Sequence, residues 1–223
     1  MDTLGQIQLL AVLAVPVLLA ITVHEAAHGW VASRLGDQTA RRLGRVSFNP
    51  FRHIDLIGTL LVPALTFLFA GLLFGWAKPV PIDWRNLRHP RRDVALVAIA
   101  GPASNLLMAL AWGGMLQFGL LLLPSNQWVG LPLIYSAAGG ILINVFLMVL
   151  NLVPLLPLDG GRVLNALLPP RLAYHFARIE PFGLVMLLAL LVTGVLASLL
   201  MPVVVAAIGL LPGSGVVKEL FFV

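Results

Sequence analysis

The chain reads as a succession of long apolar runs separated by short polar loops. Five runs stand out, at about 7–33, 57–75, 93–123, 131–156 and 182–211. Each is near or above the ~20 residues that a helix needs to cross a ~30 Å hydrocarbon core. The pattern predicts a bundle of membrane helices. Two of the loops carry a second signal. "RRLGRVSFNP" in loop 34–55 mixes polar and β-branched residues between Gly and Pro, and "WAKPVPIDW" after it has the X-Pro pattern of extended chain, so short strands or re-entrant backbone are expected there. The last run contains Pro202 and is too long for one straight crossing, which leaves one kinked helix or a helix plus an interfacial piece.

Composition turns this pattern into a class. Of 223 residues, 60% are hydrophobic and only 10% charged, and the mean hydropathy is +0.99, far from the balance of a soluble domain. No polar block is long enough to fold separately, so a single membrane-embedded domain over 1–223 is expected. The absence of cysteine excludes disulfide and thiol chemistry. The first run lacks a basic leader and continues into His24 instead of a small-residue cleavage site, so it is expected to be a retained helix. No repeat, heptad, glycine-rich phosphate loop or aromatic-studded basic groove is present, which argues against a nucleic-acid partner.

The polar exceptions carry the chemistry. In "ITVHEAAHGW", His24, Glu25 and His28 follow directly on lipid-like sequence. Residues four apart share a helix face, so the two imidazoles can address one ion with Glu25 beside them as a non-ligand, the H-E-x-x-H arrangement of zinc sites. Three such groups within five residues are costly to bury in a membrane without a metal. A hydrolytic zinc site takes three protein ligands and keeps a position open, so a third ligand is required. The best-placed candidate is Asp159 in "NLVPLLPLDGGR". There the prolines end a helix and free backbone carbonyls, and Gly160 and Gly161 permit a tight turn and a close approach. Taken alone, Asp159 reads equally well as part of a helix-terminating turn near the interface. Irregular backbone at membrane depth is tolerated where it is buried in protein or lines a wet cavity.

These two motifs, in this order and with "AGPASN" at 100–105 between them, resemble the site-2 protease family of intramembrane zinc metalloproteases over about residues 15 to 165. The resemblance implies an all-α polytopic membrane protein. Its core of about three transmembrane helices surrounds a zinc site within about 7–165, with one or two further membrane helices over about 182–211. It implies one Zn2+ per chain held by His24, His28 and Asp159, with Glu25 as general base and Asn151 engaging the substrate backbone. The implied activity is hydrolysis of peptide bonds in or near transmembrane segments of single-span membrane-protein substrates. No PDZ-like insertion or nucleotide-binding domain is recognisable, so a minimal member is expected, and the run 57–75 departs from compact versions of the core. Two other classes compete: a membrane metal or ion transporter using the same His and Asp ligands, and an inactive membrane interaction protein. Glu25 separates them, since a pure ligand site needs no base beside it.

Shared ligation also constrains topology. His24 lies about 17 residues into its run, roughly 25 Å along the helix, and Asp159 lies just past the end of its own, so both ends must face the same side. This follows if 57–75 dips into the membrane and returns. Loops 34–55 and 76–92 and segment 157–181 then lie together with 13 of the 14 Lys and Arg, opposite the neutral loop 123–132. By the positive-inside rule, the zinc site of this multi-pass protein is expected toward the cytoplasmic face; a bacterial or archaeal cell membrane is the expected location. Arg162 is expected at lipid phosphate or a helix C-terminus. Asn105 and Asn144 are expected in interhelical hydrogen bonds, and His53 either in a solvated loop or in the site. A homo-oligomer is compatible with the sequence and not required by it.

Overall fold

Backbone groups inside a bilayer must be satisfied within their own segment, which makes helices of the apolar runs. The structure, a computed structural model, describes residues 6–62, 68 and 77–222. Its helices are α1 (Gln6–Leu35), α2 (Thr39–Arg42), α3 (Pro90–Leu122), α4 (Gln127–Asn151), α5 (Asp159–Leu167), α6 (Pro170–Ala177), α7 (Glu180–Val192), α8 (Val195–Gly209) and α9 (Ser214–Phe221). Ala11–Leu35 of α1, all of α3 and all of α4 are long and apolar enough to cross a membrane; α6 and α7, bent by 62°, make a fourth if they act as one span. This is the all-α membrane bundle that the hydropathy pattern predicts.

Local chemistry sets the helix ends. Pro90 opens α3 at a position where its missing N–H costs nothing. The Asn126 side chain caps α4 by accepting the Val129 N–H at 3.2 Å. α4 stops at Asn151, short of the end of the apolar run, because Pro154 and Pro157 cannot continue the hydrogen-bond ladder. In the bundle, α1, α3 and α4 approach closely over small residues: Ala109, Ala137 and Ala138 are fully buried, and Gly140 lies against the Trp112 ring. Val204, Ile208 and Val217 of the C-terminal helices complete a core with Ile141 and Val145 of α4.

Two expectations change. Among the described residues there is no strand, so the short β elements expected within "RRLGRVSFNP" and "WAKPVPIDW" are not found. Pro79 and Pro81 remove alternate donors from one edge, and the two stretches are joined instead by side chains, with the Arg45 guanidinium donating to the carbonyls of Lys78 at 2.9 Å and Pro79 at 3.3 Å. The last run breaks at Gly194, whose φ of 74° lies in the left-handed region, while Pro202 sits inside α8. The two resulting helices, of 13 and 15 residues, are each shorter than a straight crossing needs. Leu56–Leu61 forms a π-helical turn; the rest of run 57–75, on which the choice between a re-entrant segment and a full crossing turns, lies outside the described residues apart from Val62 and Leu68.

The two ends of that connection are tied together. The Arg88 N–H donates to Leu35 O at the end of α1. Asp37 is fully buried and collects the Thr39 N–H and hydroxyl, the Asn86 amide at 3.0 Å and the Asp83 N–H at 3.0 Å. Burial pushes the Asp37 carboxyl up, but these donors outweigh it and hold its pKa below the ordinary value. The chain therefore leaves α1 and enters α3 at the same end of the bundle, as a shared ligand site requires.

Candidate metal centre

The site begins on α1. His24 and His28, one turn apart, stand edge to face with ring centroids 4.7 Å apart, and their Nε2 atoms are 3.0 Å from each other. Asp159 is the first residue of α5, a helix position that favours an acidic side chain. Its turn is compact: a Cβ on Gly160 would run into the carbonyls of Leu152 and Val153, and one on Gly161 into the backbone of Leu155 and Leu156. The turn delivers Asp159 Oδ2 to 3.3 Å from His24 Nε2 and 3.4 Å from His28 Nε2. The three ligands expected from the sequence thus converge from two distant segments.

The opposite wall is α3, which contributes no ligand. Three positions spaced four apart face the imidazoles. Val97 O accepts from His28 Nδ1 at 2.7 Å, and Asn105 Oδ1 meets His24 Nδ1 at 2.6 Å. Between them a Cβ on Gly101 would lie 2.5 Å from both His24 Cε1 and His28 Nε2, so the rings occupy the space a side chain would take. "AGPASN" enters the sequence reading through family resemblance alone. The signal that would have found Gly101 and Asn105 is their four-residue spacing, which matches that of His24 and His28.

This geometry tests whether a metal fits. Val97 O can only accept, so His28 carries its proton on Nδ1. The Asn105 Nδ2 group has two acceptors, Ala20 O at 3.3 Å and Asn144 Oδ1 at 2.9 Å, which turns Oδ1 toward a protonated His24 Nδ1. As neutral imidazoles, the ligand form, both rings then present Nε2 lone pairs to each other and to Asp159 Oδ2, which is buried without a hydrogen-bond partner of its own. Three electron-pair donors so close together repel unless a cation lies among them. Zinc at ~2.0–2.1 Å from tetrahedrally arranged ligands spaces them about 3.3 Å apart, close to the 3.0, 3.3 and 3.4 Å found. The donor set and its spacing fit zinc.

Glu25 follows His24 on the helix and is held by a loop. Its Oε2 accepts the Val80 N–H at 2.8 Å. The loop in turn is fixed by the Arg45 clasp and by the Lys78 N–H donating to His53 O at 2.8 Å. His53 is buried and places Nε2 2.9 Å from Ser47 O, so it builds this loop and joins no ligand cluster among the described residues. Asn151 ends α4 half-buried, its amide donating to Leu147 O one turn back at 2.9 Å; none of its hydrogen bonds reaches the three ligands. Arg162 pairs with Glu180 at 3.1 Å and lies 5.1 Å above the Trp84 ring, which ties α5 to α7 and to loop 77–89. Asn105 and Asn144 make the interhelical bond expected of them.

Comparison with known proteins agrees with this chemistry. The chain is 35% identical over 204 residues to YwhC of Bacillus subtilis, provisionally named a zinc metalloprotease, across 88% of this chain and 87% of that protein. It is 28% identical over 177 residues to Rip2 of Mycolicibacterium smegmatis and 29% identical over 177 residues to Rip2 of Mycobacterium tuberculosis, which bear the same provisional description. These matches cover 79% and 78% of this chain but 64% and 63% of the Rip2 proteins. No protein-family profile and no solved structure matches the chain.

Proposed function

The chain belongs to the zinc metalloprotease family of YwhC, and from that premise we propose that it is an intramembrane endopeptidase of the site-2 protease type. It hydrolyses peptide bonds in or near transmembrane segments of single-span membrane proteins, with its site toward the cytoplasmic face. The observation that carries this reading is a carboxylate, Glu25, beside a three-ligand site at the end of an apolar bundle. A transport site needs donors and no base.

Held by His24, His28 and Asp159, zinc would supply a Lewis acid that polarises a carbonyl and brings the pKa of a water toward ~7. Glu25 takes the proton from the attacking water and delivers it to the departing amine. The Val80 N–H on Oε2 fixes the carboxylate while the other oxygen carries the proton. A substrate helix hides its carbonyls in i to i−4 bonds, so a stretch must unwind before attack. Asn151, at the end of α4 and eight residues before Asp159, engages that unwound backbone through hydrogen bonds. The 13 cationic residues in 34–55, 76–92 and 157–181 support the cytoplasmic orientation.

The test is Glu25→Gln in purified protein reconstituted with a membrane-embedded single-span substrate. Zinc should stay at one per chain while cleavage falls by about 10²–10⁴-fold. Cleavage at the starting rate would remove Glu25 as the base, and a zinc-loaded wild type that cleaves no membrane substrate would remove the protease reading.

A further inference from the structure

We propose that Asn105 and Asn144 form a positioning relay that fixes the tautomer of His24 and so sets the affinity of the site for zinc. The proposal rests on the zinc-site reading above. Both asparagines are fully buried in apolar helices, where an amide is costly unless each of its polar atoms is partnered.

The relay has a direction, set at its far end. Asn144 Nδ2 donates to Gly140 O at 2.8 Å, a backbone carbonyl that can only accept. This turns Asn144 Oδ1 toward Asn105, whose Nδ2 donates to it at 2.9 Å and to Ala20 O at 3.3 Å. With its N–H groups directed there, Asn105 presents Oδ1 to His24 Nδ1 at 2.6 Å. The order of donors from His24 through Asn105 and Asn144 to Gly140 admits one tautomer, with the proton on Nδ1 and the Nε2 lone pair facing His28 and Asp159. Successive bonds running the same way polarise one another, and an acceptor on the far nitrogen strengthens an imidazole as a ligand.

The two histidines differ in this respect. His28 is anchored by Val97 O, part of the α3 backbone, which no side-chain substitution removes. His24 depends on a side chain, and that side chain is oriented by another helix. The relay thus couples the packing of α3 on α4 to one metal ligand and leaves the other alone.

The experiment uses the full chain in detergent. Zinc affinity is read by competition with a chromophoric chelator, and the histidine tautomers by ¹⁵N NMR of the metal-free protein. Asn105→Leu is expected to weaken zinc binding by about 10–100-fold and to mix the tautomers of His24, with His28 unchanged. Asn105→Asp keeps an acceptor on Nδ1 and should recover most of the loss. Asn144→Ala should lower affinity in the same direction by less.

Equal losses in Asn105→Leu and Asn105→Asp would overturn the relay, as would wild-type affinity in Asn105→Leu. If Asn105→Leu does not fold, wild-type affinity and an unmixed His24 tautomer in Asn144→Ala overturn it alone. None of these readouts is proteolysis. A protein that binds zinc through the relay yet cleaves nothing leaves the relay standing and removes the protease reading; normal zinc affinity in the variants of an active protease does the reverse.

Discussion

Two walls face each other across the metal centre, and they are made of different things. α1 offers side chains: two imidazoles that could hold a metal and a carboxylate beside them, within five residues. α3 offers a carbonyl, a missing side chain and an amide, at Val97, Gly101 and Asn105. The first wall holds the chemistry, and the second makes room for it and orients it. Substitutions on α1 should therefore change what the site does, and substitutions on α3 whether the site forms.

The sharpest way to break this contrast is Gly101→Ala. The added methyl would lie 2.5 Å from His28 Nε2 and 2.6 Å from His24 Nε2, and neither ring can swing aside without losing its Nδ1 bond. Zinc affinity should fall by on the order of 100-fold, and the metal-free protein should also unfold at a lower temperature, because a ring that makes room gives up a buried Nδ1 bond. Wild-type affinity in Gly101→Ala, measured by chelator competition, would mean that α3 is no wall at all.

A smaller effect is expected at the loop end of the bundle, which holds the walls in register. Asp37→Asn replaces a carboxylate that gathers donors from Thr39, Asp83 and Asn86. It should cost about 1–3 kcal/mol at pH 7. The sign with pH follows from the lowered carboxyl. Its contribution is fully present above the unfolded pKa of ~3.9 and is lost as pH falls through the lower folded value. The gap in unfolding temperature between wild type and Asp37→Asn, measured on metal-free protein, should therefore shrink below about pH 4. A gap independent of pH would show that the charge does not matter.

The same contrast explains how much the sequence could reveal. The grouping of His24, His28 and Asp159 was legible because ionisable residues are rare in apolar runs and their types and spacing state a chemistry. Val97 was not, since a carbonyl has no side-chain signature, and Gly101 counts by what it lacks. The long helices α1, α3 and α4 followed from hydropathy, with the ends of the later runs corrected by Pro154 and Gly194, whereas the short α2, α5, α6 and α9 lie outside the apolar runs. The loops were less legible: strands expected in "RRLGRVSFNP" and "WAKPVPIDW" gave way to the Arg45 clasp, a long-range contact that no local pattern announces. Arg162 went to Glu180 and Trp84 for the same reason.

The central claim is that two distant motifs hold one metal. Zinc content by mass spectrometry in Asp159→Ala, purified beside the wild type under chelator challenge, tests it most directly. One zinc per chain in the wild type and essentially none in Asp159→Ala is the predicted result. Equal zinc in both would contradict a site in which the turn after α4 completes what α1 begins.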